Sequence, residues 1–165
     1  MTNALLAPLK RVRLFQSLDD GQLERIARRA ERVIYRPGDV ICSEGDAGDA
    51  AILIVSDGAV EVRGEGEPAQ PVEAGSLVGE MTMLVEQPYG VTVAAGAPVR
   101  ALRLTRAGMQ DAMLEDRDIA ERLIAVISGR LVRVAAELKR LDDHIAHAIP
   151  AGMPATAAQN AIAMH

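Results

Sequence analysis

The sequence predicts a mainly β domain, a sandwich or jelly roll, with helices on both sides and one long helix near its C-terminal end. Three observations predict it. Residues 31–105 are dense in glycine and in short β-branched runs. That stretch shows closely spaced strands rather than the strand–helix alternation of a parallel sheet. After residue 119, apolar side chains recur at spacings of three and four, which is the helical period.

Taken in order, the chain up to about Ala30 reads as helical. Ser17, Asp19 and Asp20 precede Leu23, Ile26, Ala27 and Ala30, a capping residue and early acids ahead of an apolar helical face. Val33–Tyr35 reads as a strand ending at the turn Pro37-Gly38, with Val40-Ile41 beyond it. Glu44-Gly45-Asp46 and Gly48-Asp49 mark tight turns. Ala51–Ser56 and Ala59–Arg63 flank Asp57-Gly58, the strongest hairpin signal in the chain because both turn residues tolerate positive φ. Gly64–Pro71 is an acidic loop. Val91–Ala95 and Val99–Leu104 read as two further strands around Gly96-Ala97-Pro98. Arg106–Leu114 reads as a short helix.

A long helix is expected over about 119–147. Its apolar residues Ile124, Ile127, Leu131, Val134, Leu138, Leu141 and Ile145 alternate spacings of three and four. That is the seam of a two-helix coiled coil, and it predicts a parallel homodimer. Residues 148–165 contain no Asp, Glu, Lys or Arg and read as a disordered tail. The expected domain is thus 1–147, with a tail at 148–165.

Composition excludes several function classes. The net charge is −5, and aromatic residues make up 2% of the chain. A nucleic-acid partner needs a basic face or stacking platforms, so none is expected. No stretch reaches the ~18 apolar residues of a membrane span, and the N-terminal apolar patch precedes its basic residues, the reverse of a secretory signal. Cys42 is the sole cysteine. It fits a reducing compartment and a buried apolar site, and the expected location is cytoplasmic. There is no catalytic Ser/His/Asp spacing, phosphate loop or metal cluster, so no enzyme, catalytic residue, metal or cofactor is expected. His144 and His147 read as a solvated helix end, and Met81, Met83, Met109 and Met113 as core filler.

The ordered series of motifs resembles the cyclic-nucleotide-binding domain family, which includes the bacterial catabolite activator, kinase regulatory subunits and nucleotide-gated channels. It is carried by Leu14–Leu18, Tyr35–Ile41, Glu44–Asp49, Ile52–Val60 and Gly75–Met81, and it covers about residues 14–146. It implies a double-stranded β-helix (jelly roll) followed by a long dimerisation helix. It also implies a cyclic-nucleotide ligand held by a phosphate-binding cassette at Val78, Gly79, Glu80, Met81, Tyr89, Gly90 and Val91. Gly79 would let the backbone approach the ligand, and Glu80 would accept from the ribose 2′-hydroxyl. The family's arginine pairs with the cyclic phosphate, but Tyr89 stands at its position here and Gly90 follows. From Val72 to Val99 there are three acids, Glu73, Glu80 and Glu86, and no Lys or Arg. Ala135-Ala136 replace hydroxyl residues near the base. The resemblance implies a regulator with an atypical or weak site. As a stand-alone domain without a DNA-binding domain, it would act in trans on an unidentified protein partner through a helical dimer. The alternative is a ligand-independent interaction module with a degenerate pocket.

Overall fold

The computed structural model describes residues 3–148. It begins with α1 (Asn3–Arg11), a single 3-10 turn (Arg13–Phe15) and α2 (Asp20–Arg29). Asp19, rather than Ser17, caps α2. Its carboxylate accepts from Gln22 N–H at 2.9 Å, and Gln22 Oε1 accepts from Asp19 N–H at 3.1 Å. This closes a reciprocal capping box and satisfies two orphan donors.

Ten strands follow: β1 (Glu31–Tyr35), β2 (Val40–Cys42), β3 (Ala47–Gly48), β4 (Ala50–Ile54), β5 (Ala59–Val62), β6 (Gln70–Val72), β7 (Leu77–Val78), β8 (Gln87–Pro88), β9 (Thr92–Ala95) and β10 (Val99–Thr105). Two four-stranded antiparallel sheets form, ordered β1-β10-β4-β7 and β2-β9-β5-β6, with β3-β8 as a separate pair. This is the expected jelly roll. The turn Arg36–Asp39 carries Pro37 and then Gly38 at φ 92°, closed by Asp39 N–H to Arg36 O at 2.9 Å, the residue order of a type II turn.

The expected hairpin across Asp57-Gly58 is not present. The turn forms, but β4 pairs with β10 and β7 whereas β5 pairs with β9 and β6. The chain changes sheet there, and it crosses between the same two sheets again at Gly96–Pro98. The two crossings abut, because Gly96 and Ala97 N–H both donate to Gly58 O, at 2.8 and 3.3 Å. A turn motif reports a reversal of direction, and long-range pairing decides which sheet each arm joins.

Alternation along the strands builds two cores. Ile52, Ile54, Val99 and Ala101 point into the roll, where they pack with Ile41, Cys42, Ala59, Val93 and Ala95. Ala51, Leu53, Leu102 and Leu104 point the other way and are equally buried. That outer face is covered by α2 and by α3 (Arg106–Glu115), both of which pack on β10. Because β4 is buried on both faces, it reads Ala-Ala-Ile-Leu-Ile with no polar residue. Thr105 Oγ1 accepts from Gly108 N–H and caps α3. Glu115, at the other end of α3, meets Arg25, Arg28 and Arg29 of α2. The Arg29 hydrogen bond is the main cause holding its carboxyl below the usual range.

The last helix, α4 (Arg117–Ala148), starts two residues before the expected boundary and ends one after it. Ala148, assigned to the tail from sequence, closes this helix, and the rest of the tail lies outside the described residues. The chain divides into two compact units at Ile124/Ala125. In the first, Ile119 and Leu123 are buried. The second, taken by itself, is a helix on which Leu131, Val134, Leu138, Leu141 and Ile145 are each more than half exposed. No helix among the described residues is long and apolar enough to cross a membrane.

The capping box generates the first prediction. Asp19→Ala should lower the unfolding free energy by about 1 kcal/mol, with Asp19→Asn much closer to wild type, as measured by urea denaturation.

Candidate functional site

The cassette residues run from β7 to the start of β9. Val78 is buried opposite Ile52 of β4. Gly79 follows in the left-handed region, at φ 65° and ψ 40°. It opens a single 3-10 turn, Glu80–Met83, in which Thr82 and Met83 are buried while Glu80 and Met81 are half-buried. Four residues of 3-10 geometry align few peptide dipoles. This single turn therefore offers little dipole to an anion.

Tyr89 is held at several points. Its backbone N–H donates to Asp46 O at 3.0 Å, and its carbonyl accepts from Gly45 N–H at 2.9 Å. Its side chain turns into the roll and joins the apolar core formed by Ile41, Cys42, Val78 and Val93. The phenol donates to Ala50 O at 2.7 Å. Thr82 Oγ1 lies 2.7 Å from the same oxygen and 2.6 Å from Gly79 O, so its one proton serves two acceptors.

Two glycines make room for this arrangement. A Cβ on Gly79 would lie 2.6 Å from Tyr89 Cε1, and a Cβ on Gly48 would lie 2.6 Å from Thr82 Cγ2 and 3.1 Å from Tyr89 Cζ. Gly79 thus has two reasons to be glycine here, its positive φ and the tyrosine ring against it. Gly90, by contrast, is exposed, and a Cβ added there would meet open space. Val91 is half-buried against the core, and its carbonyl accepts from Cys42 Sγ at 3.5 Å.

Electrostatics follow from this burial. Desolvation pushes the Tyr89 phenol above its ordinary range. The Asp49 carboxylate and Cys42 add to the rise, and Arg103 and the Thr82 hydroxyl partly offset it. Burial likewise raises Tyr35 and the Cys42 thiol, which leaves the thiol protonated and unreactive. Arginines on the neighbouring strands do not replace the missing cation, because they are engaged elsewhere or face away. Arg63 pairs with Glu61, and Arg103 with Glu31 and Asp49. Arg100 alternates with Val99 and Ala101 and so lies on the outer face of its sheet.

The structure therefore gathers Val78, Gly79, Met81, Tyr89 and Val91 around one end of the roll, with Glu80 on the turn beside them. Sequence reasoning missed Thr82, Gly48 and the Ala50 carbonyl. Thr82 had one visible signal, a lone hydroxyl between two methionines. It also missed Arg106, whose guanidinium donates to the carbonyls of Thr82 at 3.1 Å, Val85 at 3.2 Å, and Gly48. That side chain ties the cassette turn to the first residue of α3.

Comparison with known proteins agrees with the fold. The family model of the cyclic nucleotide-binding domain matches residues 32–116. A cyclic nucleotide-gated potassium channel of Rhizobium etli is 37% identical over 112 residues, which is 67% of this chain and 30% of the channel. The chain spans less than a third of the curated relatives it matches. A cyclic nucleotide-binding-like protein from Brucella abortus is similar in structure, with a TM-score of 0.61 at 26% identity, covering 67% of this chain and 97% of that one. The N-terminal domain of a transcriptional regulator from Streptomyces coelicolor shares the fold, with a TM-score of 0.71 at 22% identity, covering 79% and 94%.

Two predictions follow from the packing of Tyr89. Gly79→Ala should destabilise the domain by about 2 kcal/mol or more, through overpacking and a strained backbone. In a Tyr89→Ala background its cost should fall, because only the strain remains; a denaturation double-mutant cycle reads this coupling. Separately, stability should decline as pH rises above about 10, the ordinary phenol value. The unfolded chain releases the proton there while folded Tyr89 retains it, so deprotonation favours unfolding. Tyr89→Phe should show a shallower decline in urea midpoints across that window.

Proposed function

The chain belongs to the cyclic nucleotide-binding domain family, and from that premise we propose that it is a regulatory domain whose ligand site is occupied by its own Tyr89. A cyclic nucleotide would enter only by displacing that ring. The observation that carries this reading is the seating of Tyr89 against Gly79 and Gly48 with its hydroxyl on Ala50 O. In the family that position supplies an arginine for the cyclic phosphate.

The cost to a ligand is twofold. Loss of a hydrogen bond to a charged group removes roughly 1.5–3 kcal/mol, about ten- to hundredfold in affinity. Moving a buried aromatic ring out of the core weakens binding further. On this reading Gly79 and Glu80 form the ribose side of the site once the ring is displaced, with Val78, Met81, Gly90 and Val91 around it. The result is a weak or atypical nucleotide site.

The output element is α4. Its seam residues Leu131, Val134, Leu138 and Leu141 are exposed in a single chain, and Ile127 completes the spacing. In the first unit, Leu114 and Ile124 are also exposed, on a groove that includes Met113 and Ala120. An apolar stripe with this spacing favours burial against a second copy. A dimer whose geometry depends on the cassette would act in trans on a protein partner. A second reading, a ligand-independent interaction module, is favoured by the membership of Tyr89 in the apolar core.

Calorimetry with cyclic AMP, cyclic GMP and cyclic di-GMP separates the readings. Wild type should bind one of them weakly, near the millimolar range. Tyr89→Ala should bind it more tightly because the ring is gone, and Tyr89→Arg more tightly still. Micromolar binding by wild type would count against self-occlusion. No binding by any of the three proteins, each shown folded by circular dichroism, would establish the ligand-independent reading. In sedimentation velocity the wild-type chain should run as a dimer, and Leu131→Asp with Leu138→Asp as a monomer.

A further inference from the structure

We propose that the outer face of the β1–β10 edge holds a second site, independent of the cassette, for a small amphipathic carboxylate. The register sets Arg32 opposite Leu102 and Ile34 opposite Arg100. All four therefore lie on one face of the sheet, with the two arginines diagonal neighbours, roughly 7–8 Å apart. Leu5 of α1 and Val55 close the groove, which encloses about 430 Å³. That volume lies within the range of small-ligand sites, roughly 300–1,000 Å³.

Charge is what selects the ligand. Arg25, Arg28, Arg29, Arg63, Arg103 and Arg122 all sit on carboxylates. Arg32 and Arg100, like Arg11, Arg13, Arg36 and Arg117, form no ion pair among the described residues; what sets these two apart is that they are diagonal neighbours beside the exposed Ile34. Two like charges diagonal on a sheet repel each other, and an acid nearby would relieve that. The missing negative charge is supplied here by a ligand. A carboxylate fits because the guanidinium fork binds it with two parallel hydrogen bonds.

The rest of the groove is aliphatic. Ile34 is 71% exposed on a strand at the edge of its sheet, an unusual place for a large apolar side chain. Leu5 and Val55 extend the same surface, over the buried Leu102 at its floor. The ligand is thus an anion at one end and a hydrocarbon at the other.

The test is a methyl-NMR titration of the full chain with sodium octanoate, with octyltrimethylammonium as the cationic control. Saturable shifts at Leu5, Ile34, Val55 and Leu102 are expected with octanoate and none with the cation. Val93, inside the roll, should not move. Arg32→Gln combined with Arg100→Gln should weaken octanoate binding by about tenfold or more, with Val93 reporting that the fold is intact. The site does not exist if the cation binds equally well, if the shifts never saturate, or if they centre on Val93. Equal octanoate affinity in the double variant would overturn the role of the arginines. The wild-type comparison of anion with cation decides the matter even if that variant does not fold.

Discussion

The hydrogen bond from Tyr89 to the Ala50 carbonyl is the constraint around which the cassette end of the roll is arranged. Ala50 begins β4, the strand buried on both faces. It lies beyond the end of the β4–β7 ladder, which pairs only Ile52 and Leu53, and an unsatisfied buried carbonyl is costly. Tyr89 supplies a donor, and Thr82 supplies a second group to the same oxygen. For the ring to reach that oxygen, positions 48 and 79 must lack a Cβ, and both are glycine. The turn after Gly79 then follows from its left-handed backbone.

The same constraint reaches the helical layer. Thr82 is bonded through its hydroxyl to the roll and through its carbonyl to Arg106. Arg106 begins α3, and α3 ends in Glu115 among the arginines of α2. Gln22, already part of the α2 capping box, donates to Asp118 at 2.8 Å in the first turn of α4. Cassette, α3, α2 and the start of α4 therefore form one continuous polar path within the first unit. A change at Tyr89 need displace only the Thr82 turn to act on Arg106. Such a path is a physical route for coupling, and its strength is a matter for measurement.

What the sequence makes legible follows from how local each signal is. Gly38 and Gly58 announce their turns because positive φ is a one-residue property. The heptads of α4 are legible because a long period accumulates evidence. The β7 and β8 strands, at two residues each, are too short to show a period. The pairing of β4 and β5 escapes a sequence reading for a different reason: it is set by distant residues of β10 and β9. At the site, the substitution of tyrosine for arginine is visible as a residue. Its consequence is not, because the direction of the ring depends on Gly48, far earlier in the chain, and on a backbone carbonyl that carries no residue-specific signal.

That direction also explains why an acidic cassette is tolerated. An arginine at residue 89 would place a guanidinium beside Ile41, Val93 and Ala95, and a buried charge without a counter-ion is severely destabilising. A phenol needs no such partner. Burial keeps it protonated, and its single proton goes to a carbonyl that requires one. On the proposed reading Tyr89 rather than a phosphate fills the site, which removes the repulsion that the acids of this segment would exert on a bound anion. On this reading the exchange of arginine for tyrosine transfers the job of completing the roll from a ligand to the chain itself.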